Sequence, residues 1–283
     1  MKTCIFHVVF NKRSIHEAFK LTKEIGYEGV ELWGREPHIS HEASPERVSE
    51  IKQLAEEYGI DIVGISTYEG SFSTKSDQEC EESFEKIKKY IGILDQLGAP
   101  MLRIACGGPN AFLAQEYHYE KAAYWVQKCA DVAKGYDKKI IMEIHNNSLI
   151  ETADDALRFL NMIDGDNVGV IHDAGNMYIT DTDYGYEAIK KLGKKIFHVH
   201  VKGEQRVDDE SLPVSFKNRT KHGMELFQHT MLEDSAADYT SVFAALKEIG
   251  YEGYLSCECF GNKTDVERAA GDYEEMKRLL ANI

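Results

Sequence analysis

A short β-branched run, a turn and an amphipathic stretch of roughly ten to twenty residues recur about every thirty residues along this chain. No other feature narrows its possible folds so far. The strand candidates are Cys4–Val9, Gly29–Trp33, Ile60–Thr67, Met101–Ala105, Lys139–His145, Val168–His172, Ile196–Val201 and Gly253–Glu258. A 3.6-residue period predicts helices over Ile15–Ile25, Pro45–Tyr58, Gln78–Leu97, Tyr117–Lys134, Ala153–Met162, Gly185–Lys191, Tyr239–Ile249 and Thr264–Leu280. Eight strands alternating with eight helices predict an α/β fold, a (β/α)8 barrel. A chain of 283 residues suits one such domain, so residues 1–283 are read as a single unit.

The punctuation agrees. Pro45 follows Ser44, a helix cap with proline at the first helical position. Ile25-Gly26-Tyr27-Glu28-Gly29 and Ile249-Gly250-Tyr251-Glu252-Gly253 nearly repeat, and both read as a helix stop feeding a strand. One connection, 203–236 after the seventh strand, carries no obvious element and is read as a long functional loop, a lid or an oligomer contact.

Composition excludes several roles. A formal net charge of −15 argues against nucleic acid or an anionic membrane as partner. No signal peptide and no run able to span a bilayer is visible. The six cysteines follow neither a zinc nor a disulfide spacing, so a reducing cytoplasm is expected. Cys257 and Cys259 flank Glu258 and should point away from it as strand filling.

The strand ends carry the chemistry. The fifth strand ends in Glu143 and His145, which an extended chain projects to one side. The sixth runs into Asp173, the seventh carries His198, His200 and Lys202 on alternate positions, and the eighth ends in Glu258. Earlier strands offer Glu31, Trp33, Ser66, Tyr68 and Arg103. In a parallel barrel these ends open onto one mouth. One strand-end glutamate is ordinarily a cap or a surface residue, and one buried histidine a satisfied core residue. Four consecutive strand ends agreeing in kind require a cation between them. Carboxylate oxygens with one imidazole suit one divalent ion, Mn²⁺, Zn²⁺, Co²⁺ or Mg²⁺, and the lack of cysteine ligands argues against a structural zinc.

With its Glu-x-His fifth strand, Asp-ended sixth, His-x-His-x-Lys seventh and Glu-ended eighth, the whole chain resembles the xylose-isomerase-like TIM-barrel superfamily of sugar phosphate isomerases and epimerases. The resemblance implies Glu143, Asp173, His200 and Glu258 as metal ligands. His198 falls where the superfamily often has histidine that is less often a ligand. Asn176 stands where many members have histidine, three residues after the Asp.

That resemblance implies enolisation, with an ion polarising a ketone, one glutamate removing the adjacent proton and a second acid returning it. Glu143 and Glu258 take those positions, with His145 beside them. His145, Arg103, Lys202 and His198 are expected to bind substrate oxygens, and Trp33 and Tyr68 to wall a sugar's carbon face. Arg206 lies at the spacing of a substrate-binding arginine in ketose epimerases, although Lys202-Gly203 departs from their pattern. The expected activity is a metal-dependent isomerase or epimerase of a small keto-sugar or sugar phosphate, and a homodimer is the family-level expectation. The alternative is a 3-dehydroshikimate dehydratase. Its relatives share Glu31-Leu32-Trp33-Gly34, Tyr68, Arg103, the Glu-x-His pair, Glu258-Cys259-Phe260-Gly261 and a loop similar to Asn218-Arg219-Thr220 with Gly223-Met224. Endonuclease-IV-like repair needs more histidines and a basic face, and a non-catalytic scaffold would not bind metal.

Overall fold

Five helices begin at a hydroxyl that accepts from a backbone N–H three residues on: Ser14, Ser44, Ser76, Thr152 and Thr264. Each supplies an acceptor to one of the donors that the first helical turn leaves unpaired. These caps open α1 (Ile15–Ile25), α2 (Pro45–Tyr58), α3 (Asp77–Leu97), α5 (Ala153–Leu160) and α9 (Asp265–Ala281), with α4 at Glu116–Lys134. The computed structural model describes residues 1–283. Gly26 ends α1 in the left-handed region at φ 111°, which a side chain would strain, and the chain passes directly into β2 (Gly29–Trp33).

The other barrel strands are β1 (Lys2–Phe6), β3 (Asp61–Gly70), β4 (Met101–Ala105), β5 (Lys139–Glu143), β6 (Val168–Asp173), β7 (Ile196–Val201) and β11 (Tyr254–Cys257). They run parallel in chain order, and β1 pairs with β11 to close the barrel. The expected (β/α)8 architecture is therefore present. The strands are buried on both sides, as β6 is along its whole length, because helices cover the outside and side chains fill the centre.

Local boundaries moved where the barrel ladder runs out. The first strand starts at Lys2 and yields after Phe6 to a 3₁₀ turn over His7–Phe10. β5 stops at Glu143, and the backbone N–H of His145 turns to Ile150 O at 3.0 Å. An unforeseen short helix, α6 (Ala174–Ile179), starts directly at Asp173, and α7 is Tyr186–Leu192. All six cysteines are free and buried. No helix is long and apolar enough to cross a membrane.

The 203–236 connection is not structureless. It holds β8 (Gly203–Arg206), β9 (Ser215–Thr220) and β10 (Gly223–Thr230), an antiparallel sheet in the order β8-β10-β9, followed by α8 (Tyr239–Glu248). Its strands are largely polar on both faces, so periodicity gave no strand signal. Asn218 Oδ1 accepts from Asn146 Nδ2 at 2.8 Å and Asn147 Nδ2 at 2.5 Å, which ties this sheet to the segment after β5 at the barrel mouth.

Candidate metal centre

Glu143 ends β5, Asp173 ends β6, His200 lies on β7 and Glu258 follows β11, so four separate strands deliver four buried side chains to one place. One ligand atom from each lies within 4.8 Å of the others. His200 Nδ1 stands 3.3 Å from Glu258 Oε2, 3.4 Å from Glu143 Oε1 and 3.9 Å from Asp173 Oδ2. That nitrogen has no hydrogen-bond partner, whereas Nε2 lies 3.0 Å from both oxygens of Glu31. A histidine with one nitrogen on a carboxylate and the other aimed at a carboxylate cluster has the outer partner of a metal ligand.

Neighbours orient the carboxylates. The Asn176 backbone N–H donates to Asp173 Oδ1 at 2.8 Å, because Asp173 is the N-cap of α6. Asn176 Nδ2 donates to Glu143 Oε1 at 2.7 Å. Arg103 Nη2 meets Glu143 Oε2 at 2.5 Å. The Lys202 ammonium lies 2.9 Å from Asp173 Oδ2, 3.0 Å from Glu258 Oε2 and 3.7 Å from Glu143 Oε1. Gly175 permits this approach, since a Cβ there would stand 2.8 Å from Lys202 Cγ.

Charge supplies a test of fit. Glu31, Glu143, Asp173 and Glu258 share this water-poor interior with only two permanent cations, Arg103 and Lys202. Burial pushes the Asp173 carboxyl up to about 7 against the pull of Lys202, with Glu143 and Glu258 adding to the rise. Burial would also raise Glu143, but Arg103 and His200 outweigh it and hold that carboxyl well below its usual range. More buried carboxylates than permanent cations, around an unpartnered imidazole nitrogen, suit a divalent cation. Oxygen and nitrogen donors without sulfur fit the hard or borderline ions expected above.

Beside the cluster is a cavity of about 390 Å³ lined by Tyr68, Arg103, Glu143, His145, Asn146 and Ser148 among others. The Tyr68 ring lies 5.3 Å from the Arg103 guanidinium and 4.1 Å from that of Arg35. Burial lowers the His145 pKa, with Glu143 opposing, so its ring is neutral at pH 7. A larger depression of about 670 Å³, lined by Asp61, Met101 and Tyr254, lies at the opposite, N-terminal end of the strands and holds no such cluster.

Several expected substrate contacts are placed elsewhere. Arg206 pairs with Glu225 at 3.3 Å and lies over the Phe227 ring, within the small sheet, because β8 turns away from the barrel. His198, two residues deeper on β7 than His200, is fully buried with Nε2 on Glu31 at 3.0 Å. Lys202 lies among the carboxylates and is not on the cavity wall. Trp33 packs edge-on to His38 and is not part of that wall. Tyr68, Arg103, Glu143 and His145 do line it. Glu31 and Asn176 acquire contacts here that their sequence positions did not reveal. Alternation along β2 could have flagged Glu31 as facing inward, but not its partners.

Residues 19–282 match the family described as xylose isomerase-like TIM barrel. Fructoselysine 3-epimerase of Escherichia coli O157:H7 is 22% identical over 266 residues, covering 91% of this chain and 90% of that protein. The crystal structure of the probable 3-DHS dehydratase of petrobactin synthesis from Bacillus anthracis superposes with a TM-score of 0.80 at 19% identity, covering 98% and 99% of the two chains. A xylose isomerase-like TIM barrel protein from Mycobacterium smegmatis, solved in complex with magnesium, gives a TM-score of 0.76 at 17% identity over 99% and 97%. The chain belongs to the xylose isomerase-like TIM barrel family.

Proposed function

We propose that this chain is a divalent-metal-dependent isomerase or epimerase of a small keto-sugar or its phosphate. The observation that carries the reading is His200, with Nε2 on Glu31 and Nδ1 facing Glu143, Asp173 and Glu258. These four side chains would hold the ion. When bound, the ion supplies positive charge that polarises a ketone and stabilises an enediolate.

The chain's own residues do the rest. Glu143, kept ionised by Arg103, borders the cavity and accepts the proton beside the carbonyl. Glu143 then releases its proton to solvent. Glu258, facing the cluster from β11 on another side, takes one up from solvent and delivers it to the opposite face or the neighbouring carbon. Its carboxyl would be raised by burial, but Lys202 draws it below its ordinary value. His145, neutral on the cavity wall, exchanges a proton with a substrate oxygen. Tyr68 and Arg103 bound the space in which the carbon chain lies.

The same wall favours a second reading. A dehydratase removes the same proton and then expels a hydroxide that must leave as water. Glu143, protonated by the first step, lines the cavity with His145 to carry that proton to it. Proton NMR in D₂O, over ketoses, ketose phosphates and 3-dehydroshikimate with the Mn²⁺-, Mg²⁺- or Zn²⁺-loaded protein, separates the readings. Solvent deuterium beside the ketone together with a new sugar supports the isomerase. Aromatic catechol-acid signals replace it with the dehydratase. Silence across the panel, with Glu143→Gln retaining metal, leaves a scaffold and ends both.

A further inference from the structure

We propose that Glu31 is the positioning residue of the metal centre: its carboxylate fixes His200 with Nε2 as hydrogen-bond donor and commits Nδ1 to the ion. This rests on the metal reading given above and assigns a role to a residue on the opposite side of the barrel.

Glu31 lies in β2, only 1% exposed. Four donors converge on its two oxygens. His198 Nε2 lies 3.0 Å from Oε2, Ser256 Oγ donates to Oε2 at 2.6 Å, Ser66 Oγ donates to Oε1, and His200 Nε2 is 3.0 Å from both. These partners come from β3, β7 and β11, so the carboxylate bridges the barrel interior beneath the cluster.

Glu31, His198 and His200 also form a compact trio that could hold a second ion. The hydrogen bonds decide against it. A carboxylate offers about four lone-pair sites, and four donors already use them. Both imidazoles therefore act as donors toward Glu31. The ring of His200 has two further restraints: Phe6 stacks on it at 5.7 Å with a 25° interplanar angle, and His198 stands edge-on at 5.5 Å. Stacking fixes the ring plane but does not distinguish one nitrogen from the other. Only the Glu31 contact does that, with Nε2 on its oxygens and Nδ1 directed at Glu143, Asp173 and Glu258.

The test uses the full-length chain, stripped with EDTA and titrated with Zn²⁺ against a chromophoric chelator. Glu31→Gln keeps the shape and removes the charge, and its zinc affinity is expected to fall about 10- to 100-fold. Long-range ¹H–¹⁵N correlation spectra of histidine-labelled, zinc-loaded wild type are expected to show His200 with Nε2 protonated and Nδ1 metal-shifted. A buried residue that only supports the fold would leave that nitrogen assignment free. The spectrum needs no variant, so it decides the matter even if Glu31→Gln does not fold. Wild-type affinity in a folded Glu31→Gln, or Nδ1 protonated in the loaded wild type, overturns the role of Glu31 alone. Zinc retained by Glu143→Gln removes the metal centre itself, and this role with it.

Discussion

Asn176 Nδ2 donates to Glu143 Oε1 at 2.7 Å, joining the first turn of α6 to the end of β5. The same side chain reaches Ile144 O at 3.3 Å. An amide here orients the Glu143 carboxylate, where the family resemblance suggested histidine. Asn176→Ala leaves Glu143 Oε1 short of a buried donor, at a cost of about 1–3 kcal/mol. Urea unfolding of the metal-free protein measures it. Metal affinity should fall as well, because Glu143 loses the contact that fixes its rotamer.

Removing metal should lower the melting temperature. A bound ion at about a hundred times its dissociation constant adds about 2.7 kcal/mol, which for a chain of this size is on the order of 4–5 °C. Lys202→Met sharpens the test. Its ammonium is 2.9 Å from Asp173 Oδ2, so it balances part of the charge that an ion would balance. Without it the metal-free form should lose about 3–5 kcal/mol and the metal-loaded form less. The gap between the two melting temperatures widens, and scanning fluorimetry with and without EDTA reads it.

Asp272 makes a separate pH prediction. It lies on the buried face of α9, with Oδ1 accepting from the Leu232 N–H at 2.8 Å and Oδ2 unpartnered. Burial pushes its carboxyl from 3.8 up to about 7. The folded chain therefore binds that proton more tightly than the unfolded chain does. Its contribution is intact below about pH 4, drains away as pH rises from about 4 to 7, and stays lost above. Asp272→Asn keeps an acceptor for Leu232 and removes the titration. In EDTA it should melt above wild type at pH 8 and close to it at pH 4; a constant difference across that range would contradict this.

The two arginines should behave oppositely. Arg103 is 7% exposed and faces Glu143, so Arg103→Ala strands a buried carboxylate, costs about 3–5 kcal/mol and abolishes turnover. The Arg206 side chain is 46% exposed beside Glu225. Arg206→Ala should change stability by less than about 1 kcal/mol and leave kcat and KM unchanged. Steady-state kinetics with the substrate found by NMR measures both, and a raised KM in Arg206→Ala would return that residue to the site.

Much of this protein was legible along the chain. Period-two and period-3.6 patterns, hydroxyl caps and the Gly26 and Gly250 stops are properties of neighbouring residues, so they marked the barrel elements and their order. Parallel closure then sends every strand end to one mouth, which is why the polar ends of the last four barrel strands could be grouped without coordinates, and the family resemblance singled out Glu143, Asp173, His200 and Glu258 among them. Partner choice across the barrel is another matter. Glu31 and His200 are 169 positions apart and meet only because closure sets β2 across from β7. Lys202 enters the carboxylates, and Arg206, four residues on, turns out to Glu225, because the backbone leaves the barrel at β8. The polar β8-β10-β9 sheet had no periodicity to announce it, since its order comes from backbone pairing and from the Asn218 contacts. Local pattern determined which elements form. The closed barrel decided which side chains share a low-dielectric interior, and that is where their charges and hydrogen bonds acquire their strength.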